Sequence, residues 1–340
     1  LQADQPYGSY DRVHLVGRVL SALFDLGSVL LTYFLGRRLF GWRVGLLAAF
    51  LLSVTVLNIQ GSHYFAVDTF LTFFVILTIC FTLDVAEGRG WPAFLGLGLS
   101  MGLTLACKVS VFLLVVVVAL GAWVRLRRRL AAGGEGSGAL LGTTLGLGLA
   151  VLVALAVFRV AQPYAWAGPN YDAWDTIPAH LAGPFDIFRG LPEPLRAAIM
   201  PNPQWLDDIG SAGAQQTGEA DLPWGRQWTE RAPWLWPLEN MVLWTLGLPL
   251  GIAAWTGVVL ALAAVIRSFW RRRPAEGETE ADPARDLALR EGDPRPPWDL
   301  VLIPLAWVLL TFGWQGMQYV KSVRYFLPIY PYLAMFAATS

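Results

Sequence analysis

Nine apolar runs govern what this chain can become: about 14–36, 44–60, 65–83, 92–106, 109–124, 139–158, 240–266, 299–317 and 323–340. Several reach the roughly 17–25 residues that a helix needs to cross the hydrocarbon core of a bilayer. Hydrophobic residues make up 55% of the chain and charged residues 15%, and the mean hydropathy is +0.49. A soluble domain has no place for so many uninterrupted apolar runs. The short segments of alternating polarity that build a transmembrane barrel are absent. The expected class is an all-α polytopic membrane protein.

Arginines orient it. Arg37, Arg38 and Arg43 flank the first connection, Arg125, Arg127, Arg128 and Arg129 follow the fifth run, and Arg267, Arg271, Arg272 and Arg273 follow the seventh. These clusters fall on one side, which the positive-inside rule makes cytoplasmic, if 92–106 and 109–124 form a hairpin with its tip at Lys108. The opposite side then carries residues 1–13, the turn at 61–68, Lys108, the segment 159–239 and the turn at 318–324, together with His14, His63 and His180. Three regions follow: 1–158 as the first part of a helix bundle, 159–239 as a long extracytoplasmic loop rich in Trp, Pro and Asp, and 240–340 as later helices. The loop reads as short helices lying along the membrane surface. The charged, proline-rich stretch 271–297 reads as a flexible cytoplasmic linker. Residue 1 is not Met and the last residues run on in an apolar pattern, so the chain reads as part of a longer protein.

Other classes are excluded on simple grounds. A formal net charge of zero gives no reason to expect a nucleic-acid partner. Cys80 and Cys107 both fall in apolar runs, match no metal spacing and read as inert buried thiols without a disulfide. The glycines of "GLGLSMG" (96–102) and "GTTLGLGLA" (142–150) lie inside apolar runs, where small residues four apart, such as Gly98 and Gly102, let helices approach closely.

Ionisable groups in or beside membrane segments mark candidate sites. Arg18 and Asp25 lie seven apart on the first helix and share a face. Asp68 opens the third run, one turn after Tyr64 in the stretch "GSHYFAVDTF" (61–70). Lys108 sits at the hairpin tip, and Lys321 and Arg324 open the last run. All but Asp25 fall near one boundary of the membrane. Each also has a plainer reading. Arg18 and Arg324 could snorkel to headgroups. Asp68 could cap a helix, Asp25 could pair with a neighbouring helix, Lys108 could be a surface lysine, and His63 an interfacial histidine without a ligand. Several cations and one carboxylate at headgroup level suit a phosphate ester, since Arg offers a planar fork and Lys a point charge. An enzyme working outside the cytoplasm needs an activated donor that already lives in the lipid, and a polyprenyl-phosphate sugar fits. The alternative is a transporter or lipid-handling protein without covalent chemistry, but that would place its polar groups near the midplane, on paired repeats.

The stretch "VGRVLSALFDLGSVLLTYFLGRRLFGWRVGLLAAFLLSVTVLNIQGSHYFAVDTFLTFFVILT" resembles the phospholipid-carrier-dependent glycosyltransferases of the protein O-mannosyltransferase and aminoarabinose-transferase type, which have the GT-C fold. "GLSMGLTLACKVSVFLLVVVVAL" is similar to that family's glycine-rich stretch ending in Lys, and "KSVRYFLPIYPYLAMFAA" to its "RYxLPxxPxL" segment. "QPYAW" and "LPWGRQWTERAPWLWPLENMVLWTLGLPLG" look like a bacterial subgroup of the same superfamily. The resemblance implies a GT-C-like transmembrane helix bundle in the cell membrane. It implies an inverting enzyme that moves a sugar from a polyprenyl-phosphate donor to a protein or lipid acceptor on the extracytoplasmic face. By that likeness Lys108, Arg324, Arg18 and Asp68 match family positions at the donor and substrate site, and His63 stands where relatives often carry Arg; taken with the charge pattern, donor phosphate binding is expected at Lys108, Arg324, Arg18 and Lys321, and the substrate cavity at Asp68, Tyr64 and His63. The resemblance places the catalytic carboxylate in a loop before the Arg18 helix, upstream of Leu1, so no residue here is assigned as catalytic. No metal ligand set is expected and no cofactor is named; a divalent metal stays open.

Overall fold

The computed structural model describes residues 10–168, 173–220, 222–271 and 297–340. Their regular structure is helical, with no strand among them beyond one isolated bridge between Trp166 and Pro201. Among the described residues, six helices are long and apolar enough to cross a membrane, or seven if one bent pair counts as a span.

Helix α1 (Tyr10–Phe40) turns at Gly41, in a conformation with φ 98° that glycine adopts without steric cost, into α2 (Trp42–Ser53). The apolar run 44–60 is not one straight span: α2 and α3 (Val56–Ser62) are bent by 62°. Ser53, Val54, Thr55 and Val56 explain the break. Three consecutive β-branched residues crowd a helix, and the hydroxyls of Ser53 and Thr55 donate back to the carbonyls of Phe50 and Leu51.

Helix α4 (Val67–Glu87) is the central post, with its buried face running from Asp68 through Val75, Ile79 and Leu83 to Ala86. Gly88 and Gly90, at φ 87° and 77°, stop it and turn the chain back into α5 (Trp91–Cys107). Lys108 is extended, and a 3-10 turn at Val109–Val111 leads into α6 (Leu114–Ala131). The chain reverses at Lys108, which lies by the start of α4, while Arg125 on α6 lies by its end.

Helix α7 (Gly136–Ala161) packs along α5 through glycines. A Cβ on Gly98 would lie 2.5 Å from the Ala150 carbonyl oxygen, and one on Gly102 2.7 Å from that of Ala154. Backbone cannot retreat from such contacts, so the helices must separate. Gly98→Ala is expected to cost about 1–3 kcal/mol, read as a lower melting temperature in detergent. An unchanged melting temperature would mean that α5 and α7 do not meet at Gly98.

The segment after α7 folds into α8 (Ala179–Arg189), α9 (Glu193–Ile199) and α10 (Pro203–Thr217), then a 3-10 stretch at Pro223–Trp228 and α11 (Leu235–Asn240). The run 240–266 opens as a π turn at Met241–Thr245, breaks at Gly247, and continues as α12 (Leu248–Arg271). Helix α13 is Trp298–Met317. The run 323–340 likewise divides, into a 3-10 stretch at Val323–Ile329 and the fully buried α14 (Tyr330–Ala337). Pro328 and Pro331 lack the N–H groups that a continuous α-helix would use there. The expected linker at 271–297 lies, apart from its two end residues, outside the described residues.

Ion pairs mark the two ends of this bundle. At the C-terminal end of α4, Arg38 lies 2.8 Å from both Asp84 and Glu87, and Arg125 donates to the Val85 carbonyl. Arg128 at the end of α6 meets Asp299 at the start of α13, 2.7 Å away. The N-terminal end of α4 holds Asp68, at the opposite end of the same post.

Candidate active site

Asp68 occupies the first turn of α4, whose N-cap is Ala66 and not Asp68 itself. It is only 4% exposed. A carboxylate so deeply placed needs partners, and it has two. Its Oδ1 is 3.5 Å from Lys108 Nζ at the hairpin tip, and its Oδ2 is 3.0 Å from Arg324 Nε in the 3-10 stretch before α14. Three connections far apart in the chain thus meet on one buried carboxylate.

Two cations and one anion leave this cluster with one net positive charge. Burial pushes the Lys108 ammonium below its usual range, Asp68 pulls it back up, and Arg324 adds to the depression. The Lys108 ammonium also stands 4.1 Å from the centre of the Tyr325 ring, and the Arg324 guanidinium 5.8 Å from it, distances at which a ring face attracts a cation. Arg324 is 57% exposed on its side chain, against 29% for Lys108. Arg324 uses Nε for Asp68, so its solvent-facing edge is open to an incoming anion.

The other expected site residues lie elsewhere. Arg18 on α1 lines a hollow of about 430 Å³ with Val19, Ala22, Ser62, His63 and Tyr64. His63 is the C-cap of α3, its Nδ1 2.6 Å from the Ile59 carbonyl oxygen. Tyr64 falls in the turn between α3 and α4, so it does not share a helical face with Asp68 as a single continuous helix would require. It is exposed, whereas Asp68 is buried. Asp25 accepts from Asn58 Nδ2 at 3.1 Å, pairing α1 with α3. Lys321 is buried and directs Nζ to the carbonyls of Gln318 and Tyr319, at 2.9 and 3.3 Å. The structure therefore joins Asp68, Lys108 and Arg324, and it groups Arg18, His63 and Tyr64 apart from them. Lys321 belongs with neither group.

Tyr325 is the participant that charge patterning passed over. Its signal was its place beside Arg324, but an aromatic in an apolar run does not by itself stand out. Among the described residues, no group of three or more His, Cys, Asp or Glu side chains is placed to hold a metal ion.

Residues 11–160 match the family described as dolichyl-phosphate-mannose-protein mannosyltransferase. No curated protein matches the chain. Among solved structures, the oligosaccharyltransferase AglB from Archaeoglobus fulgidus, in complex with an inhibitory peptide and a dolichol-phosphate, is similar with a TM-score of 0.52 at 16% identity, covering 95% of this chain and 39% of that one. ArnT from Cupriavidus metallidurans in the apo state is similar with a TM-score of 0.47 at 14% identity, covering 95% of this chain and 44% of that one. The chain thus spans less than half the length of either protein. The chain has the fold of AglB, and its residues 11–160 match the dolichyl-phosphate-mannose-protein mannosyltransferase family.

Proposed function

We propose that this protein is a membrane glycosyltransferase that moves a sugar from a polyprenyl-phosphate donor to a hydroxyl or amine of a protein or lipid acceptor on the extracytoplasmic face. The observation that carries the reading is the cluster of Asp68, Lys108 and Arg324, with its single net positive charge and open guanidinium. A sugar-phosphate-polyprenyl diester carries one negative charge. When the acceptor atom bonds to the anomeric carbon, the bond from that carbon to the phosphate oxygen breaks, and the electron pair leaves with the polyprenyl phosphate. The proton from the acceptor goes to a base not assigned to a residue of this chain. The phosphate therefore becomes more negative as the bond breaks. Cations fixed beside it stabilise the transition state more than the ground state, which is what accelerates the reaction.

In this reading Asp68 holds the two cations at a fixed spacing. Arg18 supplies a further cation in the hollow with His63 and Tyr64, where sugar hydroxyls or the acceptor bind. The family match and the dolichol-phosphate bound by AglB support a lipid-phosphate donor of this type. The test is transfer from a radiolabelled polyprenyl-phosphate sugar in membranes containing the full-length protein. Label reaching protein or lipid supports the reading. No transfer from any such donor, with the protein folded, overturns it.

The reading also sets the topology. Positions 127 and 272 are cytoplasmic, and positions 180 and 228 lie outside, with 159–239 as an extracytoplasmic loop. Single cysteines placed at these positions in a background without Cys80 and Cys107 are expected to react with an impermeant thiol reagent in intact cells at 180 and 228 only. Labelling at 272 would invert the map.

A further inference from the structure

The turn that leads into the Arg324 stretch is held from two directions by residues that touch neither the carboxylate nor the other cations. From outside, the last turn of α10 grips it. The Gln216 carbonyl accepts from the amides of Tyr319 and Val320 at 3.1 and 3.3 Å, and the Gln216 side chain donates to the Val320 carbonyl at 3.2 Å. Gly218, at φ 87°, lets the ring of Tyr319 pack against it; a Cβ there would be 2.7 Å from Tyr319 Cγ. Thr229 and the Tyr319 hydroxyl share a hydrogen bond of 3.0 Å. From inside, the turn closes on Lys321, whose ammonium binds the carbonyls of Gln318 and Tyr319. Gln318 is the C-cap of α13, so this cation sits at the negative end of a 20-residue helix and satisfies the C-cap carbonyl together with the carbonyl that follows it. A lysine buried to 4% exposure with two of its three donors on the backbone of one turn is committed to that turn. Burial pushes its ammonium down as well.

We infer that Gln216 and Lys321 are positioning residues: together they clamp the 318–322 turn so that Arg324, three residues beyond Lys321, reaches Asp68 and the donor phosphate. The long segment 159–239 is then a brace for the cation cluster, through its α10 end. This inference rests on the donor-site reading for its effect on activity, but the clamp itself can be read without it.

The test uses the full-length protein with Lys321→Met, Gln216→Leu and, as a neighbouring control, Thr217→Ala. Lys321→Met, which removes two hydrogen bonds, is expected to raise the donor KM about five- to tenfold, and Gln216→Leu, which removes one and leaves the Gln216 main-chain carbonyl and the Gln315 amide on the turn, about two- to fivefold, with the acceptor KM unchanged. Thr217→Ala is expected to change neither. In an Arg324→Ala background, Lys321→Met is expected to add nothing, because residues acting through one group are not additive. A merely structural role would lower the amount of active protein without moving the donor KM, and would add to Arg324→Ala. A second readout is independent of activity. With Cys80 and Cys107 replaced by Ala, a Ser322→Cys thiol is expected to react several times faster with an aqueous reagent once Gln216 or Lys321 is substituted.

Three results bear on the inference. A raised donor KM that vanishes in the Arg324→Ala background supports it. A donor KM unmoved by Lys321→Met and Gln216→Leu, where Arg324→Ala moves it, overturns it. If Arg324→Ala itself leaves the donor KM unchanged, the donor-site reading falls, and the labelling rate at position 322 decides the clamp: unchanged labelling overturns it, and faster labelling sustains it.

Discussion

Lys108→Ala and Arg324→Ala, each made in the full-length protein, are expected to cripple use of the polyprenyl-phosphate donor while leaving the protein folded. Removing a cation from a partly desolvated phosphate contact costs about 2–4 kcal/mol, which is roughly a 30- to 800-fold loss in kcat/KM for the donor. The two positions should divide that range. Lys108 is the less exposed cation and stands over the Tyr325 ring, so its contact is screened less by water. Arg324 is 57% exposed on its side chain, and solvent weakens any charge pair it makes. Lys108→Ala therefore belongs near the upper end and Arg324→Ala near the lower. Lys108→Arg is expected to recover only part of the loss, since a planar fork does not replace a point charge between a carboxylate and a ring. Donor kinetics unchanged in both alanine variants, with normal melting, would remove phosphate binding from this cluster.

Asp68→Asn is expected to abolish most of the transfer activity with little loss of folded protein. Asparagine nearly matches the carboxylate in shape, and the N-cap of α4 is Ala66, so the helix start does not depend on the charge. What changes is the balance. The cluster goes from one net positive charge to two, and Lys108 and Arg324 lose the anion that holds them together. Breaking a fully buried ion pair costs about 3–5 kcal/mol of stability. Both cations here retain solvent contact, so the cost to folding should be nearer ~1 kcal/mol. Two effects on the donor oppose each other. The extra positive charge attracts phosphate and would lower KM. The lost alignment removes stabilisation that develops as the bond breaks and lowers kcat. Misplacement of groups at the reacting centre by about 1 Å can cost roughly 100-fold in rate, so the loss in kcat should prevail. A kcat equal to that of the unaltered protein would reduce Asp68 to a neutralising partner, and the cations alone would explain the site.

The bundle itself was legible from the chain. Apolar runs long enough to cross a bilayer leave a chain no other stable option than helices that satisfy their own backbone. The arginine clusters called for a reversal of the chain at Lys108, and α5 and α6 run in opposite directions along α4. Gly98 and Gly102 read as close-packing residues, and they meet the backbone of α7. The charges near one boundary also drew attention to Asp68, Lys108 and Arg324 by composition alone, because an ionisable group beside hydrocarbon is costly enough to need a reason.

What the sequence could not determine was which of those charges meet. Asp68, Lys108 and Arg324 come from connections separated by 40 and 216 positions in the chain, and only the packing of α4, α5 and the 3-10 stretch before α14 brings them together. Tyr64 seemed one helical turn from Asp68, but the chain bends after Ser62, so the two face different spaces. The breaks at Val54–Thr55 and at Pro328 were hidden inside hydropathy, which counts apolar residues and is blind to β-branching and missing amide protons. Lys321 and Arg324 look alike in sequence, two cations three residues apart. Tertiary structure separates them: one ammonium binds the C-cap carbonyl of α13 and the carbonyl after it, and the other side chain reaches the carboxylate. Charge pattern identifies where a cation is expensive, and only the fold decides what compensates it.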